Sequence, residues 1–147
     1  MNMIEIEREK PNRSICNCCG GMTTSLTRFV YRDGDAFAVY YAMFSDNHPE
    51  SAVTGVISIG DWQSDKVPDV RVAFPFVLWQ DENAYNISLI DGRESPWHDV
   101  EILGKMLDRA EALEHPWINE VFDITDHITE DDPEVMNYFK LDSEMIN

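Results

Sequence analysis

Positive charge is scarce in this chain: 11 Lys and Arg stand against 28 Asp and Glu in 147 residues, a formal net charge of −17. A field of that sign repels nucleic acid phosphates and anionic membrane surfaces, so neither is expected as a partner. Long apolar runs are missing as well. The longest, around Ala36 to Phe44, is far short of the roughly 20 residues that a spanning helix requires. Met1 to Lys10 alternates Ile4 and Ile6 with Glu5, Glu7 and Glu9 instead of opening on the apolar run of a signal peptide. Cysteine is limited to Cys16, Cys18 and Cys19, too clustered for a disulfide framework and suited to a reducing compartment. With 44% apolar residues and no repeat, low-complexity tract or long linker, residues 1–147 are expected to form a single soluble, cytoplasmic domain. G-x-S-x-G, H-E-x-x-H, a phosphate-cradling glycine loop and a dinucleotide fingerprint are all absent from the sequence, so no complete catalytic signature runs along it.

The texture that is present changes once, near Ser95. Before it the pattern favours strands. Thr24 to Arg32 is rich in β-branched and aromatic residues, Asp33-Gly34-Asp35 turns it, and Ala36 to Phe44 runs back; Asp-Gly supplies the positive-φ positions of a tight hairpin turn. A loop containing Ser45-Asp46-Asn47-His48-Pro49 leads to Val53 to Ile59. Asp69 to Trp79 and Ala84 to Ile90 then alternate apolar and polar residues. Pro75, which has no N–H to give a ladder, predicts an edge or a bulge at its strand.

After Ser95 the period is helical. Ser95-Pro96 reads as an N-cap with proline in the first turn, and Val100, Leu103 and Leu107 share a stripe with Met106 beside it. Asp108 followed by Glu111 reads as a capping box that breaks the helix near Leu107 or Asp108. Pro116 opens a further helix whose Trp117, Val121, Ile124 and Ile128 are expected to face the sheet, and Asp132-Pro133 starts a last helix through Met136 and Phe139. Strands first and helices second predict an α+β fold: an antiparallel sheet of about five strands over residues 23–91, covered on one face by helices over residues 96–140.

Two constellations carry chemistry. Cys16 and Cys19 have the spacing of half a tetrahedral zinc site, with Gly20 giving the backbone freedom that such knuckles use. Adjacent Cys18 and Cys19 converge poorly on one ion, a matching second half-site does not exist, and His48 is the nearest histidine, so Cys16, Cys18, Cys19 and His48 are the candidate ligands. The alternative is that these are small, partly buried thiols shaping a turn. A redox role is disfavoured because two glycines and a strand-like run follow where a helix N-terminus is needed. The second constellation is charge. Residues 1–73 carry 7 Lys/Arg against 10 Asp/Glu, a net −3, whereas residues 74–147 carry 4 against 18, a net −14.

Weaker groupings are Asp123 with His127 one turn apart and Glu120 near them, which reads as a solvated ion pair, and Glu94, His98 and Asp99 at a helix start. Trp62, Trp79, Trp97 and Trp117 read as core rims, with Gly60-Asp61-Trp62-Gln63 displaying an aromatic beside an acid. The stretches Cys16-Asn17-Cys18-Cys19-Gly20, Phe29 to Gly34, Ala38 to Ala42, Gly60-Asp61-Trp62, Ser95-Pro96-Trp97 and Asp132-Pro133 resemble a group of small bacterial proteins. The resemblance covers about residue 16 to about residue 134; it implies a bacterial cytosolic protein and assigns no activity and no site.

Two functions follow as expectations. One is a non-catalytic module, comparable with bacterial immunity proteins and other inhibitors, that engages a basic protein through Asp123, Asp126, Glu130, Asp131 and Asp132 of its acidic helical half. The other is a metal- or thiol-dependent enzyme, or a structural zinc protein, built on the cysteine segment.

Overall fold

The computed structural model describes residues 4–8, 10–15, 17, 19–32, 35–44, 53–60, 72–81, 84–94 and 104–139. Its core is a mostly antiparallel sheet. Strands β1 (Ile4–Arg8), β2 (Asn12–Ile15), β3 (Met22–Arg32), β4 (Asp35–Phe44), β5 (Val53–Gly60), β6 (Val72–Asp81) and β7 (Ala84–Leu89) precede a short β8 (Lys105–Met106). The helices α1 (Arg109–Glu114), α2 (Ile118–Asp131) and α3 (Pro133–Phe139) follow. The α+β class stands, but among the described residues the sheet has eight strands and not about five. In sheet order β1, β3, β4, β5, β6 and β7 lie side by side; β2 also pairs β3, and β8 pairs β6 in parallel.

The extra strands lie outside residues 23–91. β1 and β2 share one edge of β3, Ile4 to Arg8 against Tyr31 to Arg28 and Asn12 to Ile15 against Ser25 to Met22, with Pro11 just ahead of β2. Proline and charged residues are what keep a sheet edge from pairing with another chain. The expected pairing of these two runs is formed, with β3 and β4 in register up to Arg32 opposite Asp35, which belongs to β4; the turn residues Asp33 and Gly34 lie outside the described residues.

Pro75 is neither at an edge nor at a bulge. It sits in β6, between β5 and β7, opposite Val56. Its carbonyl accepts from Ile90 N–H at 3.1 Å just past the end of β7, while Ala73 accepts from Leu107 N–H at 3.1 Å beside β8. A strand residue directs its nitrogen and its oxygen to the same neighbour. The missing N–H therefore falls in the gap where β6 changes partner, and the β5 ladder does not lose a bond.

Alternation divides the sheet into two faces. Phe37, Val39, Tyr41 and Met43 of β4, Val53, Ile57 and Ile59 of β5, and Phe74, Phe76 and Leu78 of β6 form the main core with Val121, Ile124, Ile128, Val135 and Phe139 of α2 and α3. Each such side chain contributes on the order of 1.5–3 kcal/mol by leaving water. Coverage is not confined to this face, as the sequence suggested. Ala38, Tyr40, Val56 and Ala73 make a smaller buried cluster on the other side, with Met106 packed against it. β4 is accordingly buried along residues 37–44 on both faces.

The expected helix through Leu107 is not formed at its C-terminal end; its residues 95–103 lie outside the described residues. Gly104 takes φ +96°, which a helix excludes, and residues 105–106 extend as β8. Leu107 still reaches the core, so its apolar character was read correctly and its period was not. The break at Asp108 is as expected: the Asp108 carboxylate accepts from Glu111 N–H at 2.8 Å, and the Glu111 carboxylate accepts from Asp108 N–H at 3.3 Å.

Gly55 marks the tightest point of the core. An added Cβ there would lie 2.3 Å from Phe76 Cζ and 2.5 Å from the Tyr40 carbonyl oxygen, so the Phe76 ring occupies the space over the glycine. Tyr41 meets that ring edge-on with centroids 5.9 Å apart. Gly20, at φ +72°, has nothing within 4 Å of such a Cβ. Gly55→Ala is expected to destabilise the protein by about 1–3 kcal/mol through overpacking, and Gly20→Ala by about 1–2 kcal/mol through its left-handed backbone alone. In urea denaturation followed by circular dichroism, only Gly55→Ala should also perturb the near-ultraviolet signal of the packed aromatics.

Candidate partner-binding face

Helix α2 is the longest helix among the described residues, and it carries most of the acids singled out from the sequence. Val121, Ile124, Thr125, Ile128 and Thr129 are buried, which leaves Asp123, Asp126, His127, Glu130 and Asp131 exposed on the opposite side. At 3.6 residues per turn, Asp123, Asp126 and Glu130 fall on one outward stripe. From Asp108 to Phe139 there are ten carboxylates and one guanidinium, Arg109.

The individual acids differ. Asp123 and Glu130 stand on the exposed stripe. Asp126 is anchored: the Tyr85 hydroxyl of β7 lies 2.6 Å from its Oδ1 and 3.1 Å from its carbonyl oxygen. Burial, the hydrogen bond to Asp126 and the nearby negative charge of Asp126 and Glu130 all push the Tyr85 phenol above its ordinary range, which keeps it a donor. Asp131 pairs with His127, Nε2 to Oδ2 3.3 Å. The expected partner of His127 was Asp123; the next turn toward the C-terminus supplies it instead.

Asp132 is a correction. It is fully buried and cannot belong to a surface. Its Oδ1 accepts from Glu134 N–H at 3.0 Å, capping α3, whose first residue Pro133 has no N–H to satisfy. Its Oδ2 lies 3.7 Å from Arg28 Nη1. The same Arg28 nitrogen donates to the Ile128 carbonyl at 2.9 Å, one of the oxygens that the end of α2 leaves open. Beside them the Tyr41 hydroxyl and Thr129 Oγ1 are 3.2 Å apart, and burial pushes the Tyr41 phenol up. Cation and anion thus meet at the α2–α3 junction, positive against the C-terminus of one helix and negative at the N-terminus of the next, where each helix dipole favours them. Sequence reasoning overlooked Arg28. The sign was there: at the strand period of two, Arg28 falls between Leu26 and Val30, a cation on an apolar face.

The thiol segment is the loop of the hairpin formed by β2 and β3, in which Ile15 pairs Met22. Cys19 is a half-buried free thiol whose Sγ accepts from Gly21 N–H at 3.3 Å. Cys16, Cys18 and His48 lie outside the described residues, as do His98, Asp99, Trp62, Trp97 and residues 61–63. Among the described residues no group of three His, Cys, Asp or Glu is placed to hold a metal, and no helix is long and apolar enough to cross a membrane. Trp79 is half-exposed and donates to Ser88 Oγ at 3.0 Å. Trp117 does not face the sheet; it precedes α2, in solvent.

No protein-family model, no curated protein and no solved structure matches this chain. Removing one partner of a buried ion pair costs about 3–5 kcal/mol, whereas asparagine is as good an N-cap as aspartate. Arg28→Met and Asp132→Asn are each expected to destabilise strongly. The double variant should cost at least 1 kcal/mol less than the two singles together, a difference readable from their denaturation midpoints.

Proposed function

We propose that this is a non-catalytic protein-binding module that engages a basic protein partner through the exposed face of α2. One observation supports the reading most directly: the stripe opposes the helix that carries it. Asp126 and Glu130 are four residues apart, a like-charge spacing that costs a helix about 0.2–0.5 kcal/mol. Glu130 and Asp131 stand in the last turn, where the dipole disfavours anions, and that turn has no basic residue. Carboxylates placed against local stability fit a surface whose purpose is external. A cationic partner relieves both penalties on docking, and the −14 of residues 74–147 speeds its approach.

A second reading, a metal at the thiol loop, draws on the Gly21 N–H that Cys19 Sγ accepts beside left-handed Gly20. Protein purified under reducing, chelator-free conditions would hold zinc or iron near one equivalent per chain and lose it in Cys19→Ser; metal-free wild-type protein removes this reading.

For the acidic face, affinity capture at low ionic strength is expected to retain a protein of high isoelectric point and to release it as salt screens charges over a Debye length of about 10 Å at 0.1 M. Asp123→Lys/Glu130→Lys should weaken the purified pair at least tenfold, with a melting temperature equal to or above wild type. Affinity indifferent to salt, or unchanged in that variant, sinks the proposal.

A further inference from the structure

Helix α3 is tied to the sheet on either side of a cleft. In its first turn Glu134 meets Arg13 of β2, whose Nη2 lies 3.1 and 3.2 Å from the two carboxylate oxygens. In its last turn the Tyr138 hydroxyl donates to the Phe44 carbonyl of β4. Arg13, Thr24 and Met43 are successive cross-strand partners on β2, β3 and β4, so their side chains share one face of the sheet, and Met22, two residues before Thr24, shares it too. Glu134, Asn137 and Tyr138 follow at spacings of three and four from Glu134, which puts them on one side of α3. Between these two walls lies a cleft of about 280 Å³.

The lining separates apolar from charged groups. Met43 is buried, Met22 is 45% exposed, and with Tyr138 they give an apolar wall whose thioethers adapt to more than one shape. Charge among the lining residues is confined to Arg13 and Glu134, with the Asn137 amide beside them. A cation and an anion side by side match a molecule that carries both. Among the described residues Arg13 engages Glu134 through Nη2 alone, which leaves the rest of its fork for a second carboxylate, and the Glu134 oxygens have lone pairs left for an ammonium. The two side chains are 49% and 34% exposed, and a pair that open contributes little to stability, so it parts readily for a ligand. At −17 the protein repels a simple anion, and a simple cation leaves Arg13 unmatched; a zwitterion meets neither objection. Sites for drug-sized ligands run from roughly 300 to 1,000 Å³, so this cleft suits a smaller molecule.

We propose that the cleft between α3 and the β2–β3–β4 corner of the sheet binds a free α-amino acid with an apolar side chain: its carboxylate on Arg13, its ammonium on Glu134, its side chain against Met22, Met43 and Tyr138. The proposal goes beyond the reading of α2 as a binding face and does not rest on it, since the described lining of the cleft comes from the sheet and α3.

Titration calorimetry of the full-length protein with L-leucine, L-methionine and leucine analogues that lack one charge tests it. Wild type is expected to bind both amino acids with a Kd of about 1 mM or tighter. Isocaproate, which lacks the ammonium, and isoamylamine, which lacks the carboxylate, should each bind at least tenfold more weakly than leucine, the share of one charge-assisted contact. Glycine, with both charges and no side chain, should also bind at least tenfold more weakly. Arg13→Gln and Glu134→Gln should each weaken leucine by a similar factor while the melting temperature stays close to wild type, because both side chains reach solvent and the Glu134 N–H that Asp132 accepts belongs to the backbone. If neither amino acid binds at about 10 mM, the proposal is overturned. Isocaproate or isoamylamine binding as tightly as leucine also overturns it, since the cleft would then read apolar bulk without the charge pair. Leucine affinity unchanged in both variants overturns it as well, because the ligand would then sit elsewhere.

Discussion

The meeting of Arg28 and Asp132 determines how the helical layer sits on the sheet. A guanidinium on β3, surrounded by Leu26, Val30 and the apolar underside of α2, is tolerable only where oxygen converges on it, and the junction of α2 and α3 provides that oxygen as the Ile128 carbonyl and the Asp132 carboxylate. Hydrophobic contact alone is non-directional: Val121, Ile124 and Ile128 would bury as much surface with α2 slid or rotated by a fraction of a turn. The charged contact removes that freedom, because a buried charge displaced from its partner is penalised by several kcal/mol. The Tyr41–Thr129 contact alongside it and the Tyr85–Asp126 contact at the far edge of the sheet fix the same rotation from two more positions.

With that rotation fixed, the outward face of α2 follows. Asp123 and Glu130 point away from the sheet because Ile124 and Ile128 point toward it, while Asp126 is held at the sheet's edge by Tyr85.

How far these features were legible in the sequence depended on how local their causes are. The pairing of β3 with β4, the capping box at Asp108 and Glu111, and the buried spacing of Val121, Ile124 and Ile128 each express forces acting between near neighbours in the chain, and each was readable. β8 was not, since Lys105 and Met106 become a strand only by pairing with Val72 and Ala73, more than thirty residues earlier. β2 escaped for the same reason, since Asn12-Arg13-Ser14-Ile15 carries no strand signal until β3 lies alongside, whereas β1 shows the strand period in Ile4, Glu5, Ile6 and Glu7 and was read only as the lack of an apolar opening. Pro75 misled because a rule about ladders was applied without knowing where β6 changes partner. Asp132 misled most instructively. In sequence it is one more acid in a run, and only a cation 104 positions earlier makes it part of the core.

Subtracting that residue sharpens the electrostatic argument. Of the acids first grouped as a surface, the one that the fold requires is withdrawn to the interior, and those left outside make few demands on it. Asp131 holds an exposed histidine and Asp126 a tyrosine hydroxyl, while the exposed pairs Arg13–Glu134 and Lys105–Glu111 lie on other elements. Pairs exposed to that degree contribute about 0–1 kcal/mol, too little to account for a chain-wide imbalance of −17. The sheet and the helices are held by their shared apolar core and set in register by the buried Arg28–Asp132 pair, so the residual acidity is not needed for folding. The gathering of Asp123, Asp126 and Glu130 on one outward stripe of α2 is an arrangement that solubility does not require, since scattered carboxylates would serve solubility equally well and with less like-charge repulsion along a single helix.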